Sequence, residues 1–574
     1  MPRHLRLAAP VLAAVVTLSA ACGGGTPPAP AQAPQLPSVA ELSIPDMQQA
    51  LADGRLTSRQ LVTAYLVRIG LYEDRLNAAV MVNPHALEEA DRLDRERAAG
   101  QVRGPLHGIP VALKDNIHTT DMPTTGGALA LAGWTPPYDA TLTENLRASG
   151  AIIIAKAGLT ELANWVAGAP DPMPGNFNSL TGFGYNPYDP RPDPREVPGD
   201  GRPVLSTGGS SSGIGTAASL WAANVGTDTG GSVISPSNAN MLVGIRPTIG
   251  RISRHGVIPV TSDHDTAGPM ARTVADAAIM LGAMEGAAPD PDDPATQTCE
   301  PPSNRDYTAF LDPKALEGAR IGIPRAYYYD PVTVGGRQMG GLAPEQRQAM
   351  DEAIAALRAA GAVIVDPADV PSYATTDPAQ NFAAWNFCAG DDGAKGKDAD
   401  CSVNFKYGMK RDFNKWLDSL GDSKPYASLT AFRQWNLAHA KGALRYGQSR
   451  FDISDEMDLV ADRARFEADH AKDLRLSREE GIDGVIDAHD LDAILTPGGA
   501  GAGLAARAGY PIIVVPFARV PNTPSRPLPE GFDPQPAPFG VGFTGKQCTE
   551  PRLIAIAYAF EQATKKRVPP PLFP

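Results

Sequence analysis

Leu205-Ser-Thr-Gly-Gly-Ser-Ser-Ser-Gly-Ile-Gly215 and Gly226-Thr-Asp-Thr-Gly-Gly-Ser232 are two glycine–serine loops separated by Thr216–Val225, a mostly apolar, alanine-rich segment. Glycines at this density remove Cβ atoms wherever the backbone bends sharply or must come close to a ligand. Successive amides in such a turn can point into one concavity and make a nest for negative charge. A serine hydroxyl at the lip of that concavity has the geometry of a nucleophile beside an oxyanion hole. By composition alone the same residues fit a pair of flexible turns equally well.

Two distant stretches decide between these readings. Upstream, Gly108-Ile-Pro-Val-Ala-Leu-Lys114-Asp115-Asn116 sets a lysine at the end of a short apolar strand. Downstream, Thr266-Ala-Gly-Pro-Met270 follows the polar loop His255–Asp265. In this order the three stretches resemble the amidase signature family of serine hydrolases, over roughly residues 40–286 and again 494–570. The resemblance implies an α/β fold with one large mixed sheet flanked by helices on both faces, and a helical insertion over the cleft. It implies hydrolysis of a carboxamide C–N bond, without cofactor or metal, through an acyl-enzyme. Carried over residue by residue, Ser232 is the nucleophile, Ser210 the bridging serine and Lys114 a neutral base. The backbone N–H groups of Thr229, Gly230, Gly231 and Ser232 form the oxyanion hole, and Asp228 braces the loop. The family also implies a cis peptide bond between Gly209 and Ser210, with Ser211 beside it.

The sequence departs from the family pattern in two places. Ser210 and Ser232 stand 22 positions apart, about two fewer than the family spacing, which leaves Ser211 as a rival for the bridging role. Ile234 occupies a position where many members carry arginine. Together with Ser232-Val-Ile-Ser-Pro-Ser237, this looks like the peptide-amidase-like branch, with small amides or C-terminal peptide amides as substrates. A lysine after a buried strand is, taken alone, more often a snorkelling surface residue. Lys156, which follows the apolar run Ala151–Ala155, is read as a decoy, because the Pro110…Lys114-Asp115-Asn116 context matches the family and that of Lys156 does not.

Competing readings come from other classes. Gly209-Ser-Ser211-Ser-Gly213 formally matches the nucleophile elbow of α/β-hydrolase esterases, with Ser211 attacking and His439, His470 or His489 as partner. No Gly-Lys-Ser/Thr follows the glycine loop, which excludes a Walker-type phosphate site. A third reading is a non-catalytic surface-binding relative. No His-Glu-x-x-His spacing is present.

At 574 residues, 43% hydrophobic and 20% charged, the chain has the composition of a soluble globular protein, and its net charge of −13 argues against a nucleic-acid partner. It is expected to be a monomer or homodimer. Residues 1–21, with Arg3, His4 and Arg6 before the apolar run Leu7–Ala21, read as an export signal. Leu18-Ser-Ala-Ala-Cys22 resembles a lipobox, so residue 22 is either a lipidated N-terminus, the one link to a membrane, or the start of a simply cleaved chain. Residues 22–39 form a Gly/Pro/Ala-rich tether before one domain over 40–574, with a variable, partly helical region at about 290–490. The expected location is the periplasm or cell envelope. Cys388 and Cys401 flank a polar loop and pair first; Cys299 with Cys548 follows by elimination, free thiols being the alternative. Thr57 or Ser58 starts a helix with Leu61, Tyr65 and Ile69 on its apolar face. Residues 380–452, rich in aromatics, form either a wall over the site or an insertion with its own core. Residues 551–565 make a closing helix whose Lys565, Lys566 and Arg567 need no partner.

Overall fold

A computed structural model describes residues 37–524 and 526–574; the signal segment and Cys22 lie outside them. Thr57 caps helix Ser58–Leu76 by accepting from the Gln60 N–H, and the Gln60 side chain returns to the Thr57 N–H. This reciprocal cap satisfies two donors that a helix start leaves open, and Leu61, Tyr65 and Ile69 turn inward, all buried.

Eleven strands make one sheet. In chain order they are β1 (Ala79–Val82), β2 (Pro110–Lys114), β3 (Ile152–Ala157), β4 (Asn224–Asp228), β5 (Val243–Arg246) and β6 (Thr266–Ala271). They continue with β7 (Arg320–Gly322), β8 (Val363–Val365), β9 (Ala493–Pro497), β10 (Ile512–Val520) and β11 (Ala537–Thr544). The spatial order is β1-β3-β2-β4-β6-β5-β10-β11-β9-β7-β8. β2 runs parallel to β3 and β4, and β7 parallel to β8 and β9; the other pairings are antiparallel, so the sheet is mixed.

β2 and β3 are apolar runs buried along their whole length, as strands covered on both faces require. β4 is wholly buried too, yet it reads Asn-Val-Gly-Thr-Asp. Buried polar side chains must find partners, and β4 finds them in the site. Asn224 takes the Thr216 hydroxyl at 2.6 Å, while Thr227 and Asp228 meet Lys114 and Arg246.

The aromatic region does both things expected of it separately. Trp165, Phe413, Trp416, Phe432 and Phe451 form a core distinct from that of the sheet, and Phe405 of the same cluster, at the start of helix Asn404–Ser419, reaches the site. Cys388 bridges Cys401 and Cys299 bridges Cys548. Closing a loop as short as the first removes unfolded-chain freedom that is worth about 3 kcal/mol. The closing helix is Glu550–Thr564. Beyond it Arg567 is not unpartnered: its guanidinium pairs with Glu41 at 2.7 Å, which ties the two ends of the described chain together.

Candidate active site

β4 ends at Asp228, and the chain turns through Thr229-Gly-Gly231 to Ser232, just ahead of helix Ile234–Ala239. Gly231 makes the turn at φ +120°, where a Cβ would stand 3.1 Å from Ala502 Cβ. The Asp228 carboxylate takes the N–H of Gly231 at 2.8 Å and that of Val233 at 2.7 Å, and pairs with Arg246 at 2.7 Å. Asp228 therefore holds the loop. It also takes the Gly231 N–H, which removes Gly231 from the expected oxyanion donors.

The other loop meets this one. Ser210 Oγ donates to Ser232 Oγ at 2.6 Å. Ser210 is buried, Ser232 half-buried and Gly230 exposed, so the loop that carries Ser232 opens to solvent. Phe405 stands over that opening: a Cβ on Gly230 would lie 3.8 Å from its ring. Phe387 stacks on Phe405 at 3.7 Å between ring centres, and Trp165 meets it edge-on at 5.0 Å. The Gly209–Ser210 bond is not among the cis peptide bonds, contrary to expectation. Gly208 and Gly209, at φ +90° and +144°, supply the turn instead. A Cβ on Gly208 would fall 2.3 Å from the Ser235 carbonyl oxygen.

Lys114 ends β2 and is wholly buried. Its Nζ donates to Thr227 Oγ1 at 2.7 Å and to the Thr227 carbonyl at 3.2 Å. Burial pulls the ammonium down to about 7, against the nearby Asp228 and Asp265 carboxylates, which favour its charge. Among the described residues Lys114 makes no hydrogen bond to Ser210; Thr227 stands where that contact was expected. Asn116 also donates to Thr227 Oγ1, at 3.1 Å.

Ser211 is buried and tied to the same strand, donating to the Thr227 carbonyl at 3.1 Å and accepting its N–H at 3.3 Å. None of His439, His470 and His489 bonds to it among the described residues; His439 stacks on Trp435, and His470 meets the Asn404 amide. Lys156 is wholly buried, like Lys114. It donates to the Ile117 carbonyl at 2.6 Å and to Thr124 Oγ1 at 2.7 Å, and lies 3.5 Å from Asp115, so it fixes the turn after β2.

Two residues of the site carried no role in the sequence reading. Thr227 sat inside a quoted motif with no chemistry assigned to it. Asp265 closed the polar loop ahead of another, and its 2.5 Å bond from Thr229 Oγ1 joins residues that the antiparallel pairing of β4 and β6 brings together. No cluster of metal-ligating side chains is found among the described residues.

Comparison with known proteins places the sequence and fold among amidases. A profile of the amidase family matches residues 60–448. A probable amidase of Arabidopsis thaliana is 33% identical over 543 residues, covering 93% of this chain and 92% of the relative. A glutamyl-tRNA(Gln) amidotransferase subunit from Synechococcus is 30% identical, over 91% of this chain and 97% of its own. Among solved structures, the native peptide amidase of Stenotrophomonas maltophilia superposes with a TM-score of 0.76 at 35% identity, over 92% of this chain and 98% of that one. A peptide amidase bound to the competitive inhibitor chymostatin gives the same score and identity.

Proposed function

The chain belongs to the amidase signature family of amide hydrolases, and we propose that Ser232, Ser210 and Lys114 are its reacting groups. The substrate is a small carboxamide or a C-terminal peptide amide. The observation that carries this reading is the 2.6 Å hydroxyl pair Ser210–Ser232; the buried Lys114 ends β2, which pairs with β4, the strand leading to Ser232. The peptide amidase likeness supports the substrate class.

In this mechanism Ser232 Oγ attacks the amide carbonyl as its proton passes to Ser210 Oγ and on to the neutral Lys114 amine. The developing oxyanion takes the Thr229, Gly230 and Ser232 N–H groups. The same route protonates the departing amine, and then draws a proton from the water that hydrolyses the acyl-enzyme. For this relay Lys114 must exchange Thr227 for Ser210, and the Ser210 hydroxyl must turn its proton from Ser232 toward Lys114. The test is turnover of peptide amides, aryl amides, aliphatic amides and esters by wild type and Ser232→Ala side by side. Cleavage by both alike would remove Ser232 from the mechanism.

Only the uncharged amine can accept a proton. Activity therefore rises with pH as Lys114 deprotonates, and kcat/KM on an uncharged peptide amide follows a limb centred near pH 7. Measured from pH 5 to 9, a flat profile excludes Lys114 as the base.

The proposal extends to location. The basic–apolar N-terminus and two disulfides favour an exported enzyme acting in the cell envelope, lipid-anchored or free. Cell fractionation tests this: an uncleaved chain confined to the cytosol rejects it.

A further inference from the structure

The ends of β9 and β10 and the start of β11 open together onto a cleft of about 470 Å³, lined by Asn238, Leu342, Gly499, Asn522, Thr523 and Phe539 among others. That lies within the range of ligand clefts, about 300–1,000 Å³. Charged residues make up 20% of the chain, yet none lines this cleft. Two of its half-buried side chains have a polar group to spare. Asn238 accepts the Gly540 N–H on Oδ1 at 2.7 Å, which leaves its Nδ2 donor without a partner among the described residues. Asn522 donates from Nδ2 to the Val204 carbonyl at 3.2 Å, which leaves its Oδ1 acceptor in the same state. Neither spare atom is enclosed by protein. A neutral wall that offers a donor and an acceptor suits a peptide unit, which carries one of each.

The cleft begins beside the loop that carries Ser232. The hydroxyl of half-buried Ser235 stands 3.2 Å from where a Cβ on Gly231 would lie and 3.4 Å from where one on Gly499 would. Gly231 precedes Ser232, and Gly499 lines the cleft. An extended residue advances about 3.3–3.6 Å, so the cleft wall stands about two residues of substrate from that loop. Resting on Ser232 as the nucleophile, we propose that this cleft is the acyl-side subsite for a neutral peptide. The substrate is then a C-terminal peptide amide of several residues rather than a small carboxamide. Cleavage of such an amide releases ammonia, so the whole peptide stays on the acyl side and needs a bed there. Asn238 and Asn522 are specificity residues of that bed: they hold peptide units and take no part in breaking the bond.

The experiment measures kcat/KM on acetyl-blocked alanine amides of one, two and three residues. The value rises about tenfold or more from the shortest to the longest, because only the longest extends well into the cleft. Asn238→Ala removes the spare donor, and Thr523→Trp fills the cleft from an exposed loop position. Each variant cuts the ratio of longest to shortest by about three- to tenfold. Equal values for all three amides overturn the inference, and so does a gain with length that both variants keep. If Asn238→Ala does not fold, having lost its tie to Gly540, Thr523→Trp decides on the same ratio. Ser232→Ala separates the two levels of argument. Cleavage that survives it overturns the nucleophile assignment beneath the inference, whereas amides cleaved only with Ser232 present, and without gain from length, overturn the subsite alone.

Discussion

Ser232→Ala lowers amide turnover by about 10⁴-fold or more, with KM changed little and the fold intact. The size follows from what the alanine removes. Ser232 Oγ accepts from Ser210, and Ser232 is half-buried beside the exposed Gly230. Without it no acyl-enzyme forms, and the remaining N–H donors can only polarise the carbonyl for a poorly placed water. Ser210→Ala leaves the nucleophile but cuts its proton route, a loss of about 10²–10⁴-fold, typical of a missing general base. The double variant falls no further than Ser232→Ala, because groups that act as one unit do not add. Stability barely changes, since Ser232 is only half-buried and its backbone is held by Asp228 rather than by its hydroxyl. The esterase-elbow reading predicts the reverse pattern, with Ser211→Ala dead and Ser232→Ala active. That result is expected to fail, because Ser211 Oγ is buried and spent on the Thr227 backbone.

What could be read in the sequence were features set by local chemistry. The apolar runs before Lys114 and Lys156 announced β2 and β3, and the glycine–serine loops announced two sharp turns with a hydroxyl at each. β11, Ala537-Pro-Phe-Gly-Val-Gly-Phe-Thr544, went unread: its glycines mimic a loop, and only pairing with β9 and β10 makes it a strand. The engaged Gly231 N–H was equally invisible. An aspartate three residues upstream of a glycine fixes no direction until Arg246, on β5, anchors the carboxylate. The cis bond before Ser210 was a borrowed expectation, and this chain makes the approach with two left-handed glycines instead. Lys156 shows the limit from the other side. Its strand-then-lysine pattern is that of Lys114, and both are wholly buried. They differ in neighbours: Lys156 is anchored by Asp115 and by Ile117 and Thr124 of the following turn, whereas Lys114 lies on Thr227, two residues along β4 from the nucleophile loop.

Lys114→Met abolishes activity, by about 10³-fold or more, and stabilises the protein at mildly acidic pH. The first effect follows from losing the base. The second follows from linkage. In the folded protein Lys114 gives up its proton near pH 7, mainly because burial penalises the ammonium; in the unfolded chain it does so at its ordinary value, 10.5. Between those pH values the unfolded state binds more protons, so wild-type stability rises with pH through that window. Below about 7 the whole cost of enclosing a charged amine is present. Methionine matches the lysine stem in shape, titrates nowhere and leaves Thr227 Oγ1 still paired with Asn116. The melting temperature of Lys114→Met therefore exceeds that of wild type by several degrees at pH 6, and the gap closes as pH rises toward 10. Calorimetry on both proteins at pH 6 and 9.5 checks this. A gap of the same size at both values means that Lys114 carries its charge in the folded protein throughout, and an amine in that state cannot take the proton from Ser210.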